Sequence, residues 1–222
     1  MPFVSARSSD DAPPGFDWGS PSGRLIHIQG GSSHAVYVIE KEPEVAPINM
    51  SVSSGIHQHL IPFPWRYYFI RAHWSSRVCG ANPGFVFFAR KKVSGLDDKS
   101  LLRACMPNTF VTGHMCLGYS VSFRGRSPIR SAWATIRYFE NSPFNGIVGV
   151  GSGLSPNTST LEIPKACSFH KGSWIAAYCS WSTIDIEKSL QMNYVDLGLS
   201  IRDVLGKNFI RQQYRIRDEV SV

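Results

Sequence analysis

The stretch Met106–Asn145, MPNTFVTGHMCLGYSVSFRGRSPIRSAWATIRYFENSPFN, strings together a turn, a cysteine-bearing segment, an arginine-rich loop and a helix. The helix is the clearest part. Ile129, Ala132, Trp133, Ile136 and Phe139 fall at offsets 0, 3, 4, 7 and 10, one apolar face at helical spacing. Ser127 supplies an N-cap and Pro128 a first-turn residue, so the spacing predicts a helix over Pro128–Ser142 that Pro143 closes. A helix with one apolar stripe must bury it against a second layer. That layer is written upstream: Arg66–Ala72 (RYYFIRA) and Phe85–Arg90 (FVFFAR) read as strands, parted by a turn at Gly80-Ala81-Asn82-Pro83-Gly84. Leu101–Cys105 extends the sheet. Further back, Arg24–Gln29 and His34–Glu40 flank Gly30-Gly31-Ser32-Ser33 and predict an antiparallel hairpin. Ile48–Leu60, bounded by prolines, predicts a short helix. The fold class is therefore α+β, an antiparallel sheet with the Pro128–Ser142 helix packed on it.

Residues 1–22, rich in Ser, Asp, Pro and Gly, predict a flexible N-terminal arm. Residues 23–148 form the core, and 149–222 a linker with a small appended C-terminal lobe. From the end of the core onward, Gly146–Thr160 reads as a flexible connection, Trp174–Trp181 as a strand and Val195–Ile210 as a helix. With 43% apolar and 18% charged residues, a chain of 222 residues can bury a core, which excludes wholesale disorder. No stretch approaches the ~20 apolar residues that cross a bilayer, and the start lacks the apolar stretch of a secretory leader. Five cysteines without close pairs suggest free thiols, so the expected setting is a reducing cytoplasm with no membrane. Charge is uneven. Residues 71–137 hold eleven Lys and Arg against Asp97 and Asp98, a balance of +9, while the rest of the chain sums to −2. A basic middle fits an acidic partner surface or nucleic acid; a solvated face is the plainer alternative.

The central stretch resembles the active-site segment of E2 ubiquitin-conjugating enzymes. That family carries a Pro-Asn pair, a turn with Gly, a Cys-Leu, a loop with Ser-Pro, an amphipathic helix and a Pro/Asn loop. Here stand Pro107-Asn108, Gly113, Cys116-Leu117, Ser127-Pro128, the helix from Ile129, and Ser142-Pro143-Phe144-Asn145. Cys116 lies eight residues after Asn108, as in the family. Met106 replaces the family's His and Gly118 its acid, and no long helix precedes the first hairpin. These departures make the chain more similar to the divergent bacterial E2-like group of the PRTRC plasmid system. The resemblance implies an E2/UBC-like core over 23–148. It implies a transferase that accepts a ubiquitin-like modifier as a thioester on Cys116 and passes it to an amine. Asn108 would stabilise the oxyanion, and Pro107, Gly113, His114, Leu117 and Gly118 would frame the active-site loop. The implied partners are the modifier, a ThiF-type E1-like adenylating enzyme and a JAB-type deconjugating protease. No cofactor and no metal are implied.

The residue types suit that chemistry. An acyl group carried by another protein needs a thiolate on an exposed turn, and a side-chain amide nearby can hold the charge that builds on the carbonyl oxygen. Each residue also has a plainer role. Cys116 would otherwise be a small buried hydrophobe, and Asn108 an Asx-turn residue. His114, two residues before Cys116, would share its face on an extended segment and raises a cysteine-hydrolase reading. Arg124, Arg126 and Arg130 would dock an acidic partner or simply be solvated. His57-x-His59 and Cys167-x-x-His170 with Cys179 lack zinc-site spacing, and Gly149-Val-Gly151-Ser-Gly153 lacks the phosphate-loop pattern. Tyr67, Tyr68 and Phe69 among arginines could stack bases, but sheet core is the stronger expectation. The competing functional class is a non-catalytic basic β-rich binding module for nucleic acid or a plasmid or phage assembly.

Overall fold

Alternating and aromatic-rich runs carry the first half of the chain into six strands: β1 (Arg24–Gly30), β2 (His34–Lys41), β3 (Glu44–Val52), β4 (Gly55–Phe63), β5 (Trp65–Trp74) and β6 (Val78–Ala89). Shorter elements follow: β7 (Leu101–Arg103), β8 (Val121–Arg124), α1 (Pro128–Asn141), β9 (Phe144–Asn145), α2 (Ile186–Gln191), β10 (Asp196–Leu199) and α3 (Ile201–Leu205). The structure is a computed structural model. It describes residues 22–52, 55–75, 78–104, 106, 108–109, 112–117, 121–124, 127–142, 144–145, 184–192 and 194–206.

The main sheet runs β1-β2-β5-β6-β7-β10, with β8 pairing separately to β6. Its pairings are all antiparallel. A smaller sheet, β4-β3-β9, adds one parallel contact where β9 meets Met50 and Ser51. The architecture is thus α+β, as the sequence predicts. Among the described residues no helix is long and apolar enough to cross a membrane.

The helix expected over Ile48–Leu60 is instead the β3–β4 hairpin, with Pro47 opposite Leu60 and Ile48 opposite His59. Ile48 is buried while Val45 and Leu60 are exposed, the period of a strand that covers a core with one face. Pro47 is tolerated because β9 reaches β3 only farther along, leaving no ladder partner for the missing N–H.

The turn expected at Gly80–Gly84 lies inside β6. There the β5–β6 register slips between Phe69↔Phe85 and Arg71↔Asn82, a bulge. A Cβ on Gly84 would sit 1.6 Å from the Phe69 carbonyl oxygen, so the close approach admits only glycine. The single helix expected over Val195–Ile210 is β10 followed by the shorter α3. Ser200 and Asp203 close a capping box there, which starts the helix late. β10 joins the main sheet beside β7. Gly146–Thr160 and Trp174–Trp181 lie outside the described residues.

Packed layers lie on both faces of the sheet. On one, Ala132, Ile136 and Phe139 of α1 and Ile48, Ile61 and Phe63 of the β3–β4 hairpin pack on Ile39, Tyr68, Ile70 and Phe88. Ser127 caps α1 by accepting the Arg130 N–H, and the buried Thr135 hydroxyl donates back to the Ser131 carbonyl at 2.9 Å, so burial strands no donor. On the other face Ile201, Val204 and Leu205 pack on Val38, Tyr67, Phe69 and Phe87. Tyr67, Tyr68 and Phe69 are core residues on both sides and offer no surface for base stacking.

Adjacent residues send charge to opposite faces. On the α1 side Glu140 accepts from Lys41 at 2.9 and 3.0 Å, from Arg66 at 3.1 Å and from the Tyr68 hydroxyl at 2.8 Å, while Glu44 pairs with both cations. Burial alone would raise the Glu140 carboxyl, but Arg66 and Lys41 beside it hold it below the ordinary carboxylate range. On the other side buried Glu40 accepts from Arg24 at 3.0 Å and from the Tyr67 hydroxyl at 2.9 Å. The Tyr67 oxygen accepts the Val93 N–H in turn.

Candidate functional site

The outer edge of β6 is shared by three segments. β8 takes Val78–Ala81, and β7 takes Phe87 and Phe88. The interval between them is filled by residues 113–115. Val86 N–H donates to the Gly113 carbonyl and Met115 N–H to the Gly84 carbonyl, each at 2.8 Å, around a Phe85↔His114 bridge. Gly113 is required at this seat. Its φ is +85°, and a Cβ would press against the Phe87 ring at 2.9 Å and the Val86 carbonyl at 3.0 Å. The cysteine segment is therefore hydrogen-bonded to the longest strand of the sheet.

A second, short ladder leads from this seat to Asn108. Cys116 N–H donates to the Asn108 carbonyl at 2.7 Å, and Thr109 bridges Met115. In an antiparallel ladder a narrow Thr109–Met115 pair puts Asn108 and Cys116 opposite one another, on the other side from their neighbours. Burial follows that alternation. Met115 is fully buried toward α1, whereas His114 and Cys116 are half-buried. Leu117 packs at the edge of the α1-side cluster.

Asn108 has φ +55°, the single positive φ of a non-glycine residue among those described. Asparagine is one of the few side chains that tolerates this left-handed conformation. It is 9% exposed, and its Oδ1, like the Thr109 hydroxyl, has no hydrogen-bond partner among the described residues. A buried amide oxygen without a partner is costly, and the acceptor calls for a donor to complete it. Both expected roles of Asn108, turn residue and side-chain amide beside the thiol, are compatible with this geometry.

His114 lies edge-on to Phe85, ring centroids 5.3 Å apart at 83°, on the sheet face away from α1. Cys116 and Cys79 are free thiols. Burial pushes the Cys79 thiol up, which lowers its own thiolate fraction at neutral pH. Arg130 is exposed on the first turn of α1, and the backbone of Arg124 pairs with Val78. Pro107, Gly118, Arg126 and Cys105 lie outside the described residues. Sequence reasoning missed Gly84 and Thr109. The first betrays itself only as a turn-like cluster inside a strand; the second carries no signal of its own. Among the described residues no group of three or more His, Cys, Asp and Glu side chains is arranged to hold a metal ion. No family model, no curated protein and no solved structure matches this chain.

Proposed function

We propose that the chain is an E2-like carrier with an E2/UBC-like core, which takes a ubiquitin-like modifier onto Cys116 as a thioester and passes it to an amine. The observation that supports this reading is the 2.7 Å bond from Cys116 N–H to the Asn108 carbonyl, which sets the backbones of the cysteine and the asparagine across from one another. The sequence order around it fits the same reading: sheet first, then the Asn108–Cys116 turn, then α1.

In loading, Cys116 sulfur attacks the carbonyl of the modifier's thioester on a ThiF-type E1. The new S–C bond replaces the E1 one, and the E1 thiolate leaves with the proton that Cys116 gives up. In transfer, a neutral amine attacks the Cys116 thioester. Negative charge collects on the carbonyl oxygen, and the Asn108 amide N–H donates to it. The tetrahedral species collapses to an amide as the Cys116 thiolate departs and the amine loses its proton to solvent. A JAB-type protease would reverse the product amide.

The test is a Gly-Gly-terminated ubiquitin-like thioester, supplied chemically or by a ThiF-type E1 with ATP. The wild-type chain is expected to form an adduct that thiols reverse, and Cys116→Ser at most a thiol-resistant oxyester. A thiol-reversible adduct that persists in Cys116→Ser and vanishes in Cys79→Ser would refute the assignment.

A further inference from the structure

Among the described residues, the sheet face away from α1 is covered along only part of its length. Where α3 and the segment through Val93 lie, it is packed. Toward the other end the register lines up His27 and Gln29 of β1 with Val38 and Val36, then His34 with His73 and Val36 with Arg71. Arg71 in turn stands opposite Asn82 of β6. The intervening residues Ala35, Tyr37, Ile70, Ala72 and Ala81 are buried in the α1-side cluster, which fixes this set on the opposite face. Gln29, His34, Arg71 and His73 are exposed, and His27 and Asn82 are half-buried.

The chemistry of this uncovered platform is one-sided. It presents three imidazoles, one guanidinium and two carboxamides, and no carboxylate stands at any of these register positions. Imidazole and guanidinium planes stack on unpaired bases, and carboxamides read base edges by paired hydrogen bonds. Successive same-face residues stand roughly 6.8 Å apart along a strand, room for one splayed base at each. A protein partner would need an aromatic or aliphatic anchor to bury, and the two apolar residues in the set, Val36 and Val38, are already packed into the neighbouring cluster. Arg71 also opens the +9 window of the sequence.

We propose that this half-face, uncovered by the described residues, binds single-stranded nucleic acid, its planar side chains stacking on bases and Arg71 meeting a phosphate. The proposal does not depend on Cys116 chemistry. Fluorescence anisotropy of short labelled oligo-dT and oligo-U tests it. Wild-type protein should bind at least one of them, more weakly as salt rises. A preference for one of the two strands names the source, DNA or RNA. The double variant Arg71→Glu, His73→Ala should weaken binding roughly 10- to 100-fold. Arg130→Glu, the same charge reversal on α1 in the opposite layer, should change it less than about threefold. Thermal melts of all variants keep a folding defect from passing as a binding defect. The proposal is overturned if neither strand binds, if the double variant binds as Arg130→Glu does, if a duplex of the same sequence binds more tightly, or if inorganic polyphosphate competes equally per phosphate.

Discussion

Replacing Asn108 separates a conformational duty from a chemical one, because the structure assigns both to one residue. Its φ of +55° costs an ordinary L-residue about 1–2 kcal/mol, a penalty that glycine escapes. Asn108→Ala should therefore lose about 1–2 kcal/mol of stability, which for a chain of this size is a melting shift of roughly 2–8 °C. Asn108→Gly keeps the backbone conformation and gives up only about 0.5–1 kcal/mol, through the greater freedom of the unfolded chain. Both variants remove the carboxamide. If the amide supports the oxyanion, both should still load Cys116, and both should discharge the thioester to free lysine about 10²–10³-fold more slowly. The assay is single-turnover discharge of preloaded protein, run beside a thermal melt. Asn108→Gly discharging at the wild-type rate would refute the chemical role. If Asn108→Ala alone were slow as well as unstable, the residue would be serving the turn and nothing else.

Glu140→Ala should be far more damaging than Glu44→Ala. It deprives Arg66, whose side chain is 1% exposed, and Lys41, at 7%, of their shared carboxylate, a loss of about 3–5 kcal/mol by denaturant titration, whereas Glu44 is one-third exposed. Because the Glu140 carboxyl is held below its ordinary value, its contribution is complete above the unfolded-state value near 4.5. It is lost as pH falls through the lower folded-state value, so acid unfolding below pH 4.5 should flatten in Glu140→Gln. Gly84→Ala should disrupt the β5–β6 bulge and, through the Met115 N–H bond, the cysteine seat, seen as faster hydrogen exchange at Met115 and Cys116. Unchanged exchange in a folded Gly84→Ala protein would show that the bulge does not hold the seat.

What the sequence made legible follows from how local each signal is. The Pro128–Asn141 helix announces itself by spacing, a Ser127 cap and a first-turn proline, and all three act within one turn of chain. The β1–β2 hairpin is legible for the same reason: strand pattern and turn sit side by side. The β3–β4 hairpin reads as a helix because prolines imitate helix boundaries, whereas Pro47 marks a position without a ladder partner on its open side among the described residues. Gly80–Gly84 reads as a turn because a bulge needs the same residues as a turn. At the candidate site the Asn108–Cys116 spacing pointed to the right neighbours. The seat on β6 was not legible, since it depends on the edge of a strand some thirty residues earlier in the chain being left open between two short partners.

That open interval explains why a cysteine in irregular chain can still be held firmly. β6 is twelve residues long, and its edge partners β7 and β8 are three and four. Neither reaches the middle, so the unpaired groups of Gly84 and Val86 need other partners, and Gly113 and Met115 supply them. The bonds fix the segment's alternation as well as its place. Met115 is driven into the core beneath α1, which leaves His114 and Cys116 no choice but the other side. On the proposed reading, an acyl group joined to Cys116 must therefore leave on the side away from α1, across the short ladder from Asn108. A one-residue slip at the Gly113 seat would reverse both consequences at once, burying the thiol and exposing Met115.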